Sequence, residues 1–375
     1  MRKRLLTFAA VGLLATATMT ACDSSDDQTS TAATTSNTTV GKGDGKARVG
    51  VILPDTVSAQ RWGTADPKYL TAAFKDANVP VEVENAQGNA ADFVKIAQNM
   101  VDSGIKVLVI ASIDSVSGKA ALDAAKAKKI PTIDYDRLTL NGGADYYVTF
   151  DGGAVGRFQA YGLTKCLSAE HKSNPVIAEI NGSPTDNNAT LFKAGYDGVL
   201  NQAYDDGSLV KGPDQSVTDW KPEIAATIFA QMLSQRPDIA GVLSANDGMA
   251  GAVISVLKKK GLNGRVPVTG QDASVPGLQA ILAGDQCMTV YKPIKPEAEA
   301  AAGLAVSLFK GQKPTTASDK LKDPESGAYV PTVLQQPQSI TADNVDDVIK
   351  DGFATVKEVC TPAYQDACRA HGLIK

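Results

Sequence analysis

The stretch Pro175–Leu200, PVIAEINGSPTDNNATLFKAGYDGVL, places an apolar run, a polar loop and an amphipathic run directly after one another. The apolar residues Val176–Ile180 are typical of a buried strand, and Asn181–Pro184 interrupts them. From residue 189 onward, large apolar side chains recur near the helical period. The stretch therefore predicts a strand, a loop and a helix in immediate succession.

Three short polar side chains, Asp186, Asn187 and Asn188, end this loop. In open α/β sheets, ligands bind at the carboxyl ends of the strands, so these side chains are candidates for ligand binding. The same residue types are also preferred as helix N-caps. Ligand binding and capping both remain open from this stretch alone.

Strands and helices alternate along most of the chain. Apolar strand patterns and helical patterns alternate from Arg48 to Phe150, and a second series of the same kind begins at Ala154. Parallel neighbouring strands need a crossover helix, so this alternation predicts an α/β protein with two doubly wound parallel sheets. Residues 266–272 are expected to form a strand of the second series, and residues 311–327 a surface loop.

The composition is that of a globular protein with room for two domains. The chain has 375 residues, of which 43% are hydrophobic and 21% charged. Its net charge of −4 argues against nucleic acid as a partner. The only histidines are His171 and His371, which leaves little material for a zinc site or a histidine-based catalytic pair. No cofactor is expected.

The N-terminus has the layout of an export signal. Arg2-Lys3-Arg4 is followed by an apolar region, and Met19–Cys22 resembles the lipobox of bacterial lipoproteins. The resemblance implies a signal peptide over 1–21 and acylation of Cys22, and residues 22–46 are expected to form a flexible tether. Cleavage of an ordinary secretory signal at another position is the alternative. Removing residues 1–21 takes away three positive charges and changes the net charge from −4 to −7.

Four cysteines remain if Cys22 is acylated, an even number in an oxidising compartment. Cys360 and Cys368 are close in sequence and are expected to pair, which leaves Cys166 with Cys287 by elimination. Three connectivities are possible for four cysteines, so the pairing stays open.

Polar or aromatic side chains follow nearly every predicted strand. The groups are Asp55, Arg61-Trp62, Asp134–Arg137, Asp151, Asp186–Asn188, Asp219-Trp220, Asn246-Asp247, Gln271-Asp272 and Tyr291-Lys292. Loops are polar anyway, but planar and fork-shaped groups recur here at many strand ends of the same polarity. Carboxylates and amides can bind paired hydroxyls, Arg and Lys supply charge-assisted donors, and an indole covers the C–H face of a pyranose. The set predicts a sugar-binding site.

Several of these groups lie in motifs that resemble a known family. The motifs are Gln60-Arg61-Trp62, Tyr135-Asp136-Arg137, Thr149-Phe150-Asp151, GSPTDNNATLFKAG, Asp219-Trp220, Ser244–Asp247, Thr269–Ala273 and Met288–Pro293. In this order, from about Arg48 to Phe353, they resemble the sugar-binding proteins of ABC transporters within the type I periplasmic binding protein family. Among these, the resemblance is to the D-xylose-binding branch.

The resemblance implies two lobes joined by a three-strand hinge, with a monosaccharide held in the cleft between them. The chain is expected to cross near residues 151–153, 291 and 327. The expected lobes are residues 47–152 plus 292–326, and residues 153–291 plus 327–375. The implied ligand-binding residues are Arg61, Trp62, Asp136, Arg137, Asp186, Asn188, Trp220, Asn246, Asp272 and Lys292. Asn187 and Asp151 are added to the set. The alternative role of Asn187 is to cap the helix, and that of Asp151 is to brace the hinge.

The implied function is that of a monomeric, lipid-anchored receptor on the outer face of the cell membrane that delivers D-xylose to an ABC permease. Arabinose, glucose and galactose are alternative ligands, since a missing CH₂OH changes pocket volume rather than motif type. A glycosidase or epimerase could also gather carboxylates and a lysine, but these acids are expected to be held ionised by neighbouring cations. A sugar-responsive transcription factor is disfavoured because an export signal replaces an N-terminal helix-turn-helix. A signalling receptor for another small polyol stays open.

Overall fold

The computed structural model describes residues 47–169 and 173–375. The predicted signal peptide, the tether and the acylation site Cys22 lie outside the described residues, as does His171. Among the helices of the described chain, none combines the length and the apolar character needed to span a bilayer.

The strands are β1 Val49–Leu53, β2 Val81–Asn85, β3 Val107–Ile110, β4 Thr132–Tyr135, β5 Tyr146–Phe150, β6 Val176–Asn181, β7 Val210–Ser216, β8 Ile239–Ser244, β9 Thr289–Tyr291, β10 Asp319–Lys322, β11 Tyr329–Gln335 and β12 Gln338–Ile340. The α-helices are α1 Ala65–Asp76, α2 Ala90–Asp102, α3 Ser115–Ala127, α4 Gly152–Ala169, α5 Asn187–Asp205, α6 Pro222–Gln235, α7 Asp247–Lys259, α8 Val275–Leu282, α9 Ile294–Phe309, α10 Val345–Lys350, α11 Val356–Val359 and α12 Gln365–Ala370. Single 3₁₀ turns occur at Gln60–Gly63 and Thr218–Trp220.

The first sheet has the strand order β10-β11-β5-β4-β3-β1-β2, and only the β10–β11 pair is antiparallel. Successive side chains of a strand point to opposite faces of the sheet, and helices cover both faces of the central strands. Val49 and Val51 pack into the cluster that contains α1 and α9, whereas Ile52 packs into the cluster that contains α2 and α3. The near-continuous apolar runs of β1 and β3 are therefore explained by helices on both faces.

The second sheet has the parallel order β7-β6-β8 and is covered by α4, α5, α6 and α7. Together the two sheets confirm the α/β prediction. Residues 266–272 do not form the strand expected there, because only Val268 forms a bridge, to Val242.

Helices α4 and α5 cross at very short range. A Cβ atom on Gly156 would lie 2.0 Å from the carbonyl oxygen of Phe192, and one on Gly195 would lie 2.4 Å from that of Gly153. Real Cβ atoms do not approach backbone oxygens so closely, so both positions require glycine. This close crossing fixes α5, whose N-terminus carries Asp186 and Asn188.

The chain passes from the first sheet to the second between β5 and α4, returns between β9 and α9, and leaves again between β11 and β12. The third crossing lies between Gln335 and Gln338 rather than near Gly327, because β11 pairs in parallel with β5. The expected boundary at residue 327 assigned β11 to the C-terminal lobe, and this pairing corrects that assignment. The loop expected over residues 311–327 also contains β10, which pairs with β11.

The C-terminal segment packs on the second half of the molecule. Strand β12 pairs with β9, and Val345 and Val348 of α10 share an apolar cluster with Leu278 of α8. The structure joins Cys360 to Cys368 and Cys166 to Cys287, the two pairs that the spacing and elimination argument selected.

Candidate functional site

A small cavity lies where the carboxyl ends of strands from the first and second sheets meet. It encloses about 300 Å³ of space free of protein atoms, part of which is open to solvent. Its lining residues are Ser58, Ala59, Arg61, Trp62, Asp136, Arg137, Asp186, Asn188, Phe192, Trp220, Asn246, Gln271, Asp272 and Lys292. These side chains come from loops that are far apart in sequence, as expected for a site at the ends of parallel strands.

The cavity gathers ten of the twelve predicted ligand-binding residues. Asp151 and Asn187 are the two that it does not include. Asp151, for which bracing of the hinge was the alternative role, accepts a hydrogen bond of 2.9 Å from the backbone N–H of Ala154 and so caps the start of α4. Asn187 is the first residue of α5 and is only half-buried, whereas the next side chain, Asn188, is buried.

Four lining residues are not among the implied ligand-binding residues: Ser58, Ala59, Phe192 and Gln271. Phe192 belongs to the apolar repeat of the predicted helix, and it contacts the core while also lining the cavity. Gln271 directly precedes Asp272 in a motif already noted, so its position was a signal that could have been used. Ser58 and Ala59 carry small side chains that no motif distinguishes.

Asp136 lies at the centre of the site, directly after β4. Its φ of 60° is in the left-handed region, which few residues other than glycine adopt. The conformation is held by its backbone carbonyl, which accepts hydrogen bonds from Tyr147 Oη at 2.9 Å, Thr149 Oγ1 at 2.8 Å and Asn188 Nδ2 at 3.0 Å. Trp220 and Asp272 also have positive φ, at 57° and 102°. Strained backbone at three cavity residues is a recurring feature of functional sites.

The Asp136 carboxylate is surrounded by cations. Its Oδ2 accepts a hydrogen bond from Arg61 Nη1 at 2.7 Å and lies 3.3 Å from Lys292 Nζ. Burial alone would raise the pKa of Asp136, but the charges of Lys292, Arg61 and Arg137 outweigh it and lower the pKa to about 2. Asp136 is therefore an ionised acceptor, as the sequence argument expected.

The pKa of Asp272 shifts in the opposite direction to that of Asp136. Its Oδ1 lies 3.5 Å from Lys292 Nζ, yet burial raises its pKa against the attraction of Lys292 and Arg61. The neighbouring cations therefore outweigh burial at Asp136 but not at Asp272. A nearby carboxyl group, Asp247, has a pKa raised to about 7 by burial and by the charge of Asp272. Asp247 does not line the cavity; it accepts hydrogen bonds from Gln286 Nε2 and Thr289 Oγ1, both at 2.8 Å.

Asp186 connects the helix terminus to two other lining residues. Its Oδ1 caps α5 by accepting from the backbone N–H of Asn188 at 2.9 Å. Its Oδ2 accepts from Trp220 Nε1 at 3.1 Å and lies 3.1 Å from Arg137 Nε. The two roles left open by the sequence, capping and lining the site, are thus both filled by the same carboxylate.

The aromatic side chains form apolar walls. The guanidinium of Arg61 lies 4.3 Å from the centroid of the Trp62 ring, and that of Arg137 lies 5.4 Å from it. Trp220 meets Phe192 edge to face, with ring centroids 6.3 Å apart. Flat rings beside ionised and amide groups give the cavity both apolar surface and directed hydrogen-bonding groups, which is the arrangement of a small-molecule binding site.

Comparisons with known proteins agree with this geometry. The family model described as periplasmic binding protein domain matches residues 49–313. The D-xylose-binding periplasmic protein of Escherichia coli (strain K12) is 35% identical over 319 residues, which cover 84% of this chain and 93% of that protein. The multiple sugar-binding periplasmic receptor of Rhizobium radiobacter is 32% identical, over 82% of this chain and 90% of the receptor.

Among solved structures, an ABC transporter solute-binding protein from Clostridium phytofermentans with bound β-D-glucose has a TM-score of 0.76 and 29% identity, covering 84% of this chain and 100% of that chain. Two α/β sheets with a polar cavity between their strand ends are the arrangement expected of a solute-binding protein, and the relatives belong to that class. The chain belongs to the periplasmic binding protein family. Its relatives are binding proteins, which separates it from the glycosidases and epimerases weighed above.

Proposed function

We propose that this protein binds a monosaccharide, with D-xylose as the first ligand to test, and delivers it to an ABC permease. The observation that carries the proposal is the cavity itself, in which carboxylates, amides, cations and two indoles face one small space. A pyranose presents hydroxyls that both donate and accept around a ring with apolar C–H faces. Asp136 accepts, Lys292 and Arg137 donate, and Trp62 and Trp220 offer flat apolar surface.

The relatives support a sugar as the ligand class. Xylose appears in the name of the Escherichia coli relative, and glucose is bound in the Clostridium phytofermentans structure. The multiple sugar-binding receptor of Rhizobium radiobacter supports a second candidate, a receptor that accepts several monosaccharides. Arabinose, glucose and galactose therefore remain alternatives to xylose.

Ligand binding is proposed to close two lobes around the sugar. The first lobe is proposed to comprise residues 47–152 plus 292–335, and the second residues 153–291 plus 338–375, because β11 pairs with β5 of the first sheet. Lining residues come from both halves, for example Asp136 from the first and Asp272 from the second. They can contact one ligand together only when the cleft is shut.

The place of action is proposed to be the outer face of the cell membrane. Membership in a periplasmic binding protein family supports a location outside the cytoplasm. The lipobox resemblance at Met19–Cys22 supports a lipid anchor, and the protein is proposed to act as a monomer beside the permease subunits.

Calorimetric titration of the mature protein with D-xylose, L-arabinose, D-glucose and D-galactose tests the proposal. Saturable heat with xylose at the lowest concentration supports a xylose receptor, and comparable heat with several sugars supports the multiple-sugar receptor. Recovered sugar must be chemically unchanged after long incubation. Absence of binding to every sugar in the panel contradicts the proposal, and turnover of any sugar contradicts the assignment as a binding protein.

A further inference from the structure

Arg61 is held by acidic residues that do not themselves line the cavity. Its guanidinium donates from Nε and Nη2 to the two oxygens of Asp66, at 2.8 and 2.6 Å, and from Nη2 to Glu297 Oε2 at 2.5 Å. Asp66 and Glu297 are both fully buried, and each belongs to the first turn of a helix, α1 and α9 respectively. Carboxylates are stabilised in that position by the helix dipole.

We propose that Glu297, together with Asp66, is a positioning residue that holds Arg61 in the orientation in which it binds the ligand. The inference rests on the proposed function, because it assigns a role toward the same cavity.

Counting the guanidinium hydrogens supports this role. Arg61 has five N–H hydrogens in a rigid fork. Two from Nη2 and one from Nε reach Asp66 and Glu297, and one from Nη1 reaches Asp136 Oδ2 at 2.7 Å. Among the described residues no partner takes the second Nη1 hydrogen. Because Arg61 lines the cavity, that hydrogen is available to a ligand hydroxyl.

The chain from Lys292 to Glu297 places two groups around the Arg61–Asp136 pair. Lys292 Nζ lies 3.3 Å from Asp136 Oδ2, the same oxygen that accepts from Arg61. Glu297 contacts the other side of the guanidinium, five residues further along the chain. This segment begins where the chain returns to the first sheet, so Lys292 and Glu297 both lie next to that crossing.

The pKa of Glu297 reflects both its burial and the charges around it. Burial raises the pKa of Glu297 to about 8, the attraction of Arg61 opposes this rise, and the charges of Asp136 and Asp66 add to it. Glu297 Oε1 is buried and has no hydrogen-bond partner in the described chain, so a full negative charge there would be poorly compensated. Glutamine is the closest uncharged mimic of Glu297, because its amide oxygen can accept the same hydrogen bond from Arg61 Nη2.

Glu297→Ala, Glu297→Met and Glu297→Gln separate positioning from packing. Titration at pH 7 with D-xylose, or with the tightest-binding sugar of the panel, is expected to show about tenfold weaker binding for the alanine and methionine variants. Glu297→Gln is expected to bind within about threefold of wild type, because its amide oxygen accepts the same hydrogen bond. The methionine variant fills the volume, so it keeps the test valid if the alanine variant does not fold.

Glu179→Ala is the matched control. Glu179 is also a fully buried acid in an ion pair, with Lys193 Nζ at 2.8 Å, but it does not line the cavity. Its removal is expected to lower the urea midpoint of unfolding while affinity stays at the wild-type value. If both Glu179→Ala and Glu297→Met lose sugar affinity in proportion to their loss of stability to urea, the inference is overturned.

Fluorescence gives a readout that needs no ligand. The chain has two tryptophans, so Trp220→Phe leaves Trp62 as the only indole. Arg61 lies 4.3 Å from the Trp62 ring centroid, and its displacement should shift the Trp62 emission. Glu297→Met in this background should shift the spectrum and Glu297→Gln should not. Wild-type emission together with wild-type affinity in Glu297→Met refutes the positioning role, whereas a wild type that binds no sugar refutes the proposed function instead.

Discussion

The side-chain amide of Asn246 donates a hydrogen bond of 2.9 Å to the backbone carbonyl of Ser58. Ser58 follows β1 of the first sheet and Asn246 follows β8 of the second, so this bond spans the cleft beside the cavity. The Oδ1 atom of the same asparagine caps α7 by accepting from the N–H of Met249 at 2.9 Å. One residue thus stabilises its own helix and holds the two halves together.

Asn246→Asp separates these two roles. Aspartate keeps the acceptor that caps α7, but it removes the donor and places a carboxylate beside the Ser58 carbonyl. We expect sugar affinity to fall by about 1–3 kcal/mol with little change in the unfolding midpoint. Small-angle scattering should show a smaller radius of gyration when wild type is saturated with sugar, and a smaller change for the variant. An identical radius with and without sugar in wild type would rule out lobe closure.

Gly182 controls the position of the Trp220 indole. A Cβ atom at this position would lie 2.1 Å from Trp220 Cη2. Gly182→Ala is therefore expected to displace the ring and to weaken sugar binding by about 1–3 kcal/mol, measured by titration. Gly198→Ala on α5 is the control, since a Cβ there meets nothing within 4 Å and should leave affinity unchanged. Equal affinities for the two variants would contradict a role for the indole in binding.

Truncation of the same ring gives a direct test of its contribution. Trp220→Ala should cost about 1–3 kcal/mol of affinity, because apolar area against the sugar is lost. Circular dichroism should show a retained fold. Wild-type affinity in this variant would mean that Trp220 serves only the apolar core.

Asp272→Asn tests the charged acceptor in the second half of the site. Asparagine tolerates positive φ better than most residues, so the 102° conformation should persist. The variant keeps the shape but loses charge-assisted acceptance, and we expect weaker binding by about 1.5–3 kcal/mol. If titration of the variant gives the wild-type dissociation constant for the sugar, Asp272 does not contact the ligand.

Asp136 predicts a defined pH dependence of stability. Its pKa is lowered from 3.8 to about 2, so the folded state binds this proton less readily than the unfolded state. Its contribution of about 2 kcal/mol is present above pH 4 and is lost as the pH falls through about 2. Urea unfolding of wild type and Asp136→Asn should therefore give free energies that converge between pH 4 and pH 2. A difference that stays constant across this interval would contradict the lowered pKa.

Much of the fold could be predicted because burial leaves a strong pattern. Strands such as Val107–Ile110 are buried on both faces and read as continuous apolar runs. The β10 strand left no such signal, since Asp319–Lys322 is mostly exposed and is held to β11 by backbone hydrogen bonds. The pairing of β11 with β5 was also invisible, because it joins segments about 180 residues apart and depends on tertiary packing.

The site was predictable to the extent that its residues follow strands in recognisable motifs. Asp136 and Lys292 were found in this way, and the structure brings them to 3.3 Å. The support of Arg61 by Glu297 was missed, because Glu297 lies in the first turn of a helix and looks like an ordinary N-terminal acid. The raised pKa of Asp272 was missed too, since sequence reveals the neighbouring charges but not the degree of burial that opposes them.

The disulfide between Cys166 and Cys287 turns the middle of the chain into a covalent ring. The two cysteines are 121 residues apart, and the ring contains every strand of the second sheet. After a protease cuts once inside this ring, the disulfide still joins the two fragments covalently. In the reduced chain the same cut would separate them. A pulling force applied to the two termini would pass through the disulfide and would not extend the residues inside the ring. The fully extended oxidised chain would therefore be shorter than the reduced chain by roughly 400 Å. The oxidised protein is therefore protected against both kinds of damage in the half of the molecule that carries Asp186, Trp220, Asn246 and Asp272.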